Sequence, residues 1–189
     1  MTMDDKLSDE QVIELVLEGD SNLYAQIVER YESKLMRYAQ FILKDYDTAS
    51  DAVQESFIKA FINLRNFDTK RKFSSWIYRI LHNEVMNVIK RNKKLVSIDS
   101  EENDDKIPFE DFRHDIKIDQ QILNSQVRKC LNKIDIKYRE VLMLNYFENL
   151  KYEDISDILH IPTSTVGVRI KRGKEALKKI CFKEEVRYD

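Results

Sequence analysis

The segment from Leu150 to Lys179, LKYEDISDILHIPTSTVGVRIKRGKEALKK, leaves the backbone few choices. Ile155, Ile158 and Leu159 repeat at helical spacing. Pro162 blocks continuation of that helix, and Thr163 or Ser164 can cap a second one by accepting from its free N–H groups. Val166, Ile170 and Leu177 form the buried stripe of the second helix, while Arg169, Lys171, Arg172, Lys174, Lys178 and Lys179 supply positive charge. Two helices across a tight turn, the second cationic, form the pattern of a helix-turn-helix whose second helix enters the DNA major groove.

The rest of the chain is expected to be helical too. Only 3 Gly and 2 Pro stand against 42% hydrophobic residues, a balance that favours long helices over sheet. A formal net charge of −2 excludes a uniformly basic coat, so DNA binding requires local segregation of charge. Cys130 and Cys181 belong to no CxxC or Cys/His cluster, and the simple reading is a reduced, cytoplasmic chain. No apolar run approaches the roughly 20 residues that span a bilayer, and the acidic start MTMDDKLSDEQ lacks a signal core. A soluble protein without direct membrane binding is expected.

Periodicity and charge divide the chain into an all-α arrangement: two helical domains joined by an acidic flexible linker, with the helix-turn-helix in the second. The first domain spans residues 8–94. Ser8 with Gln11 forms a capping box for a helix ending at Gly19. Asp20 or Ser21 starts a longer helix through Leu43, with Leu23, Ile27, Tyr31, Leu35, Tyr38 and Ile42 on one face. Thr48 is expected to cap a third, with Ala52, Val53, Phe57, Ala60, Phe61 and Leu64 inward. Ser74 and Ser75 start a fourth, burying Trp76, Ile77, Ile80, Leu81, Val85 and Val88. Residues 95–119 are so acidic that they cannot bury enough apolar surface to fold alone, which makes them a linker in which Phe109, Phe112 and Ile116 are candidates for docking. Residues 120–185 hold the second domain, with roughly four helices.

Enzymatic readings fare badly. GxxxxGK[ST], GxGxxG, HExxH and GxSxG are all missing from the sequence. His82, His114 and His160 are scattered without a second ligand, so neither a metal nor a cofactor is expected. Asp51 and Glu55 share a helix face near its N-terminus, where the helix dipole alone would justify them.

Nucleic-acid features are denser. Lys70, Arg71 and Lys72 precede the fourth helix and Lys90, Arg91, Lys93 and Lys94 close it, with Phe67, Phe73, Trp76 and Tyr78 between them. Cations that track phosphates beside aromatics that stack on bases suit unpaired DNA, although the core spacing of Trp76 favours burial. Arg79, Asn83, Asn87 and Lys90 share one face, and an amide such as that of Asn83 can both donate and accept at a base edge.

At this point the sequence resembles the bacterial RNA polymerase sigma factors of the extracytoplasmic-function (ECF) type, over nearly its whole length. The match runs through DAVQESFIKAFINL and NFDTKRKFSSWIYRILHNEVMNVIKR, then through KYREVLMLNYFENLKYEDISDILHIPTSTVGVRIKRGKEAL. The resemblance implies that Asp51, Gln54 and Glu55 dock on core RNA polymerase. It implies minus-ten contacts for the loop Asn66, Phe67, Asp68, Lys70, Arg71, Lys72 and Phe73, which captures a flipped base, and for Asn83. With the shared face added, Arg79, Asn87 and Lys90 join that set. Ser164, Thr165, Gly167, Val168, Arg169, Lys171 and Arg172 fall in the region that reads the minus-thirty-five duplex. Promoter DNA and core polymerase are the implied partners, with control by an anti-sigma factor expected to be membrane-anchored.

Gly167 and Val168 depart from the family, where Arg, Lys or Ser is common. Neither can hydrogen-bond a base edge, and Gly in a helix costs roughly 1 kcal/mol against Ala. Three readings stay open: closer backbone approach at Gly167, a thymine methyl contact at Val168, or affinity resting on phosphates and DNA shape. A stand-alone helix-turn-helix regulator is the other class. It differs in predicting tight duplex binding without polymerase and a palindromic site.

Overall fold

In the computed structural model, residues 7–99 and 130–185 are described, with side chains through position 92 in the first stretch and 181 in the second. The described residues form two compact helical units, and no strand occurs among them. Phe109, Phe112 and Ile116 lie outside them.

In the N-terminal unit, Ser8 Oγ accepts from Gln11 N–H at 3.2 Å and Gln11 Oε1 accepts from Ser8 N–H at 2.8 Å, the expected capping box of α1 (Asp9–Glu18). Gly19 ends the helix at φ 127°, a conformation that side chains with a Cβ resist. A tight turn, Ser21–Leu23, then leads into α2 (Tyr24–Leu43), whose Ile27, Tyr31, Leu35, Tyr38 and Ile42 are buried as their spacing requires. Asp45, rather than Thr48, caps α3 (Tyr46–Ile62): its carboxylate accepts from Thr48 N–H at 2.7 Å. Both residues are cap formers; the helix starts before Thr48, so the threonine supplies the N–H and not the acceptor.

The long helix α4 (Phe73–Asp99) begins one residue before the two serines and runs five residues into the stretch assigned to the linker. Ile77, Leu81, Val85 and Val88 are buried on it, while Trp76 and Ile80 are only half-buried. Phe61 is a clear exception on α3. Expected inside, it is 44% exposed, with its ring centroid 4.9 Å from that of Tyr24 in a tilted pair.

The C-terminal unit has smaller parts. After helical residues 130–132 come α5 (Ile136–Leu142), which widens into a π turn over Met143–Phe147, then α6 (Tyr152–Leu159) and α7 (Thr163–Glu185). Thr163 and Ser164 sit inside the first turn of α7 instead of ahead of it. Of the expected stripe Val166 and Ile170 are buried and Leu177 is only half-buried; Gly173 continues the buried side. Cys130 and Cys181, read from sequence as unconnected and reduced, are joined by a disulfide with Cα atoms 5.6 Å apart. Their 51-residue separation gave no local sign of the pairing.

Candidate nucleic-acid interface

In the N-terminal unit the candidate loop is built on an aromatic floor. The rings of Phe67, Phe73 and Trp76 lie 5.1–5.6 Å apart. Phe67 and Phe73 are 7% and 0% exposed and shape the loop from beneath, while Trp76 is half-buried. Asp68 folds the loop by accepting from Lys70 N–H on its carboxylate (3.1 Å) and from Arg71 N–H on its carbonyl (2.8 Å). Glu10 of α1 accepts from Phe73 N–H at 3.0 Å, placing a carboxylate on the positive end of α4. That anchor was not legible in sequence, where the two residues are 63 positions apart.

With the loop pinned, Asn66, Asp68, Lys70, Arg71 and Lys72 are exposed. Asn83, Asn87 and Lys90 are exposed and Arg79 is half-buried, all on the side of α4 opposite Ile77, Leu81 and Val85. The predicted stripe therefore exists as a surface, with the basic loop at its N-terminal end. His82, beside it, is half-buried and hydrogen-bonded to Tyr38 Oη at 3.0 Å, which accounts for it as a packing residue.

A second surface lies on α3. Asp51, Gln54 and Glu55 are exposed, and Ile58 (53%), Phe61 (44%) and Ile62 (72%) extend the exposed face toward the C-terminus of the helix. Exposed apolar groups at i+3, i+4 and i+7 from a polar set mark an interaction surface. The sequence signal was there: Ile58 and Ile62 fall off the buried stripe. Lys59 bridges this face to α4, with Nζ 3.3 Å from Glu55 and 2.8 Å from Glu84.

In the C-terminal unit the turn between α6 and α7 is held by His160 at φ 52° and by Ser156, whose hydroxyl donates to the Ile161 carbonyl at 2.6 Å. Gly173 seats α7 on α5, since a Cβ there would lie 3.1 Å from Leu142 Cδ1 and 3.3 Å from Tyr138 Cβ. Arg169 Nη1 lies 3.1 Å from Glu140 Oε1, and Glu140 is buried. Burial pushes the Glu140 carboxyl up to about 7, with Arg169 pulling the other way. Arg139 donates to the carbonyls of Asn132 and Ile134, both at 2.9 Å, tying off the chain ahead of α5.

Of the seven residues expected at the duplex, Ser164, Val168, Lys171 and Arg172 are exposed together on α7, and Thr165 is half-buried. Arg169 is turned to Glu140, with a side chain 25% exposed. Gly167 is half-buried, and a Cβ there would stand 3.5 Å from Tyr152 Cε2, at ordinary contact distance. Tyr152 was not among the expected residues.

The chain matches the family models for Sigma-70 region 2 over residues 27–95 and Sigma-70, region 4 over residues 124–177. It is 34% identical over 180 residues to the ECF RNA polymerase sigma factor SigW of Bacillus subtilis, an alignment spanning 88% of this chain and 93% of SigW. The chain belongs to the ECF sigma factors. The Pseudomonas aeruginosa RNA polymerase sigma-H factor is similar at 30% identity, covering 90% of this chain and 92% of its own. Two solved structures share the fold at 21% identity. CnrH in complex with the cytosolic domain of CnrY gives a TM-score of 0.68 over 91% of this sigma factor and 96% of CnrH. The sigma factor RpoE of Bartonella quintana, in complex with the anti-sigma factor NepR, gives 0.69 over 83% and 95%. As a sigma factor the chain acts in transcription initiation, and its exposed faces take their meaning from that setting. Among the described residues no helix is long and apolar enough to cross a membrane, and no group of His, Cys, Asp or Glu is placed to hold a metal ion.

Proposed function

We propose that this sigma factor binds core RNA polymerase through the α3 face, reads the minus-ten element as unpaired non-template strand with the loop and polar face of α4, and reads the minus-thirty-five element as duplex with α7. The observation that carries the reading is the exposed stripe Asn83–Asn87–Lys90 continuing a loop whose cations all face solvent. Flipping a base from the stack costs a few kcal/mol and needs a pocket to receive it. The loop pinned by Asp68 and Glu10 offers a preformed edge, with Lys70, Arg71 and Lys72 placed to hold the backbone. Asp51, Gln54 and Glu55, with Ile58, Phe61 and Ile62 beside them, combine an apolar centre and a charged rim, the make-up of a protein interface. The chain acts in the cytoplasm without a cofactor or catalysis of its own. An anti-sigma factor anchored in the membrane holds it inactive by covering the same faces.

Run-off transcription with purified core polymerase tests this. A start-site-specific transcript is expected with the chain and not without it; no transcript together with no core binding sinks the reading. Asn83→Ala should cost about 1–3 kcal/mol of minus-ten discrimination with core binding intact. Charge reversal at Asp51 and Glu55 should do the converse, and unchanged core affinity there rejects the docking face.

A further inference from the structure

We propose that Val168 is a specificity-determining residue that packs on the 5-methyl group of a thymine in the minus-thirty-five duplex. This rests on the reading of α7 as the duplex-binding helix. Val166 and Ile170 are 0% and 3% exposed and Gly173 is packed on Leu142, which fixes the core side of α7. Directly opposite at helical spacing stand Ser164, Val168, Lys171 and Arg172, all exposed, with Val168 at the middle of the group and 48% exposed.

Its two neighbours are removed from base reading. Gly167 has no side chain, and a Cβ there would stand 3.5 Å from the Tyr152 ring, at ordinary contact distance. Arg169 is committed to the buried Glu140. Of positions 167–169, Val168 alone projects a free side chain from the helix.

An isolated exposed valine on a surface helix needs no explanation. Here the surrounding positions give it one: Ser164 supplies a hydroxyl and Lys171 and Arg172 supply cations, so polar contacts and phosphate neutralisation are already provided for. A valine has neither donor nor acceptor. The one apolar feature that a standard base pair presents in the major groove is the thymine methyl.

The test uses holoenzyme assembled from core polymerase and the full chain. Promoters are first selected from a library randomised over the minus-thirty-five element, and thymine is expected to dominate at one position. Replacing that thymine by deoxyuridine, which deletes only the methyl, should weaken holoenzyme binding about fourfold, the factor that one buried methyl supplies. With Val168→Ser the ratio between the two duplexes should fall to about one, while Val168→Thr, which keeps one methyl, should retain part of it. Equal binding of thymine and deoxyuridine duplexes by the parent overturns the assignment and leaves promoter binding intact. A Val168→Ser variant that loses affinity but keeps the ratio marks a structural role and also overturns it. Holoenzyme that selects no sequence at all overturns the duplex reading of α7 itself.

Discussion

The helices α4 and α7 each turn one side to a core and the other to solvent, but they are held by different means. Ile77, Leu81 and Val85 press α4 into a core that includes Ile27, Tyr31, Leu35 and Tyr38, and a buried aliphatic side chain contributes about 1.5–3 kcal/mol. The short α5 and α6 also give α7 an apolar core, with Val141, Leu142, Ile155 and Ile158 buried. There the structure adds a disulfide, a buried carboxylate facing Arg169, and a glycine that lets helices touch. A unit held by apolar burial responds weakly to redox state and to pH near neutrality. A unit that also carries a cross-link and a buried carboxyl responds to both.

The largest separation between the units should follow loss of the cross-link. Closing a loop of 51 residues is worth about 4 kcal/mol in the chain-entropy account. Cys130→Ser, or reduction of the parent, should lower protection in the C-terminal unit by about that amount in hydrogen exchange on the full chain, and leave the N-terminal unit unchanged. Equal loss in both units would show that the cross-link does not act on the C-terminal unit alone.

Next in size is a pH effect confined to the C-terminal unit. The Glu140 carboxyl lies at about 7 when folded against an ordinary 4.5, so the folded unit binds the proton more tightly than the unfolded chain. Its contribution is fully present below pH 4.5, is lost as pH rises to 7, and then stays level, amounting to at most about 3 kcal/mol. In the N-terminal unit, burial raises the phenols of Tyr24 and Tyr31 above their ordinary 10, so their contribution is lost only in strong alkali. Glu140→Gln should flatten the C-terminal profile between pH 4.5 and 7. An unchanged profile would assign the effect elsewhere.

What sequence could reveal follows the same division. The stripes of α2 and α4, the capping box at Ser8 and the stop at Gly19 are local patterns, and each is legible because one helix turn determines it. Phe61 was misplaced because at the end of α3 both Phe57 and Phe61 suit an inward stripe, and only the folded chain shows Phe57 buried and Phe61 exposed. Basic neighbours made Phe67 and Phe73 look like stacking platforms, whereas their contact with each other and Trp76 puts them inside. Glu10 on Phe73, Glu140 on Arg169 and Cys130 on Cys181 are pairings across 63, 29 and 51 residues. No period or motif announces them, so the restraint on Arg169 emerged only from the folded chain.

Two glycines in α7 give a smaller test with opposite signs. Gly173→Val forces a branched side chain against Leu142 and Tyr138 and should destabilise the C-terminal unit by about 2 kcal/mol. Gly167→Ala places a Cβ at ordinary contact distance from Tyr152 and should gain about 1 kcal/mol from helix propensity. Thermal melting reads both, and the same sign for the two would mean that Gly167 is also seated against its neighbour.

The smallest effect belongs to the N-terminal unit. Lys59 holds Glu84 at 2.8 Å and Glu55 at 3.3 Å, but its side chain is 41% exposed, and such pairs contribute under about 1 kcal/mol after solvent screening. Lys59→Ala should therefore scarcely move the melting of the unit. It nevertheless strips Glu55 of its counter-charge on the face proposed to meet polymerase, so core affinity should change and become more dependent on salt. Core affinity and salt dependence measured by titration would decide between the two roles. A stability loss of several kcal/mol would make Lys59 a structural strut of α3 on α4, and unchanged core binding would move the docking surface away from Glu55.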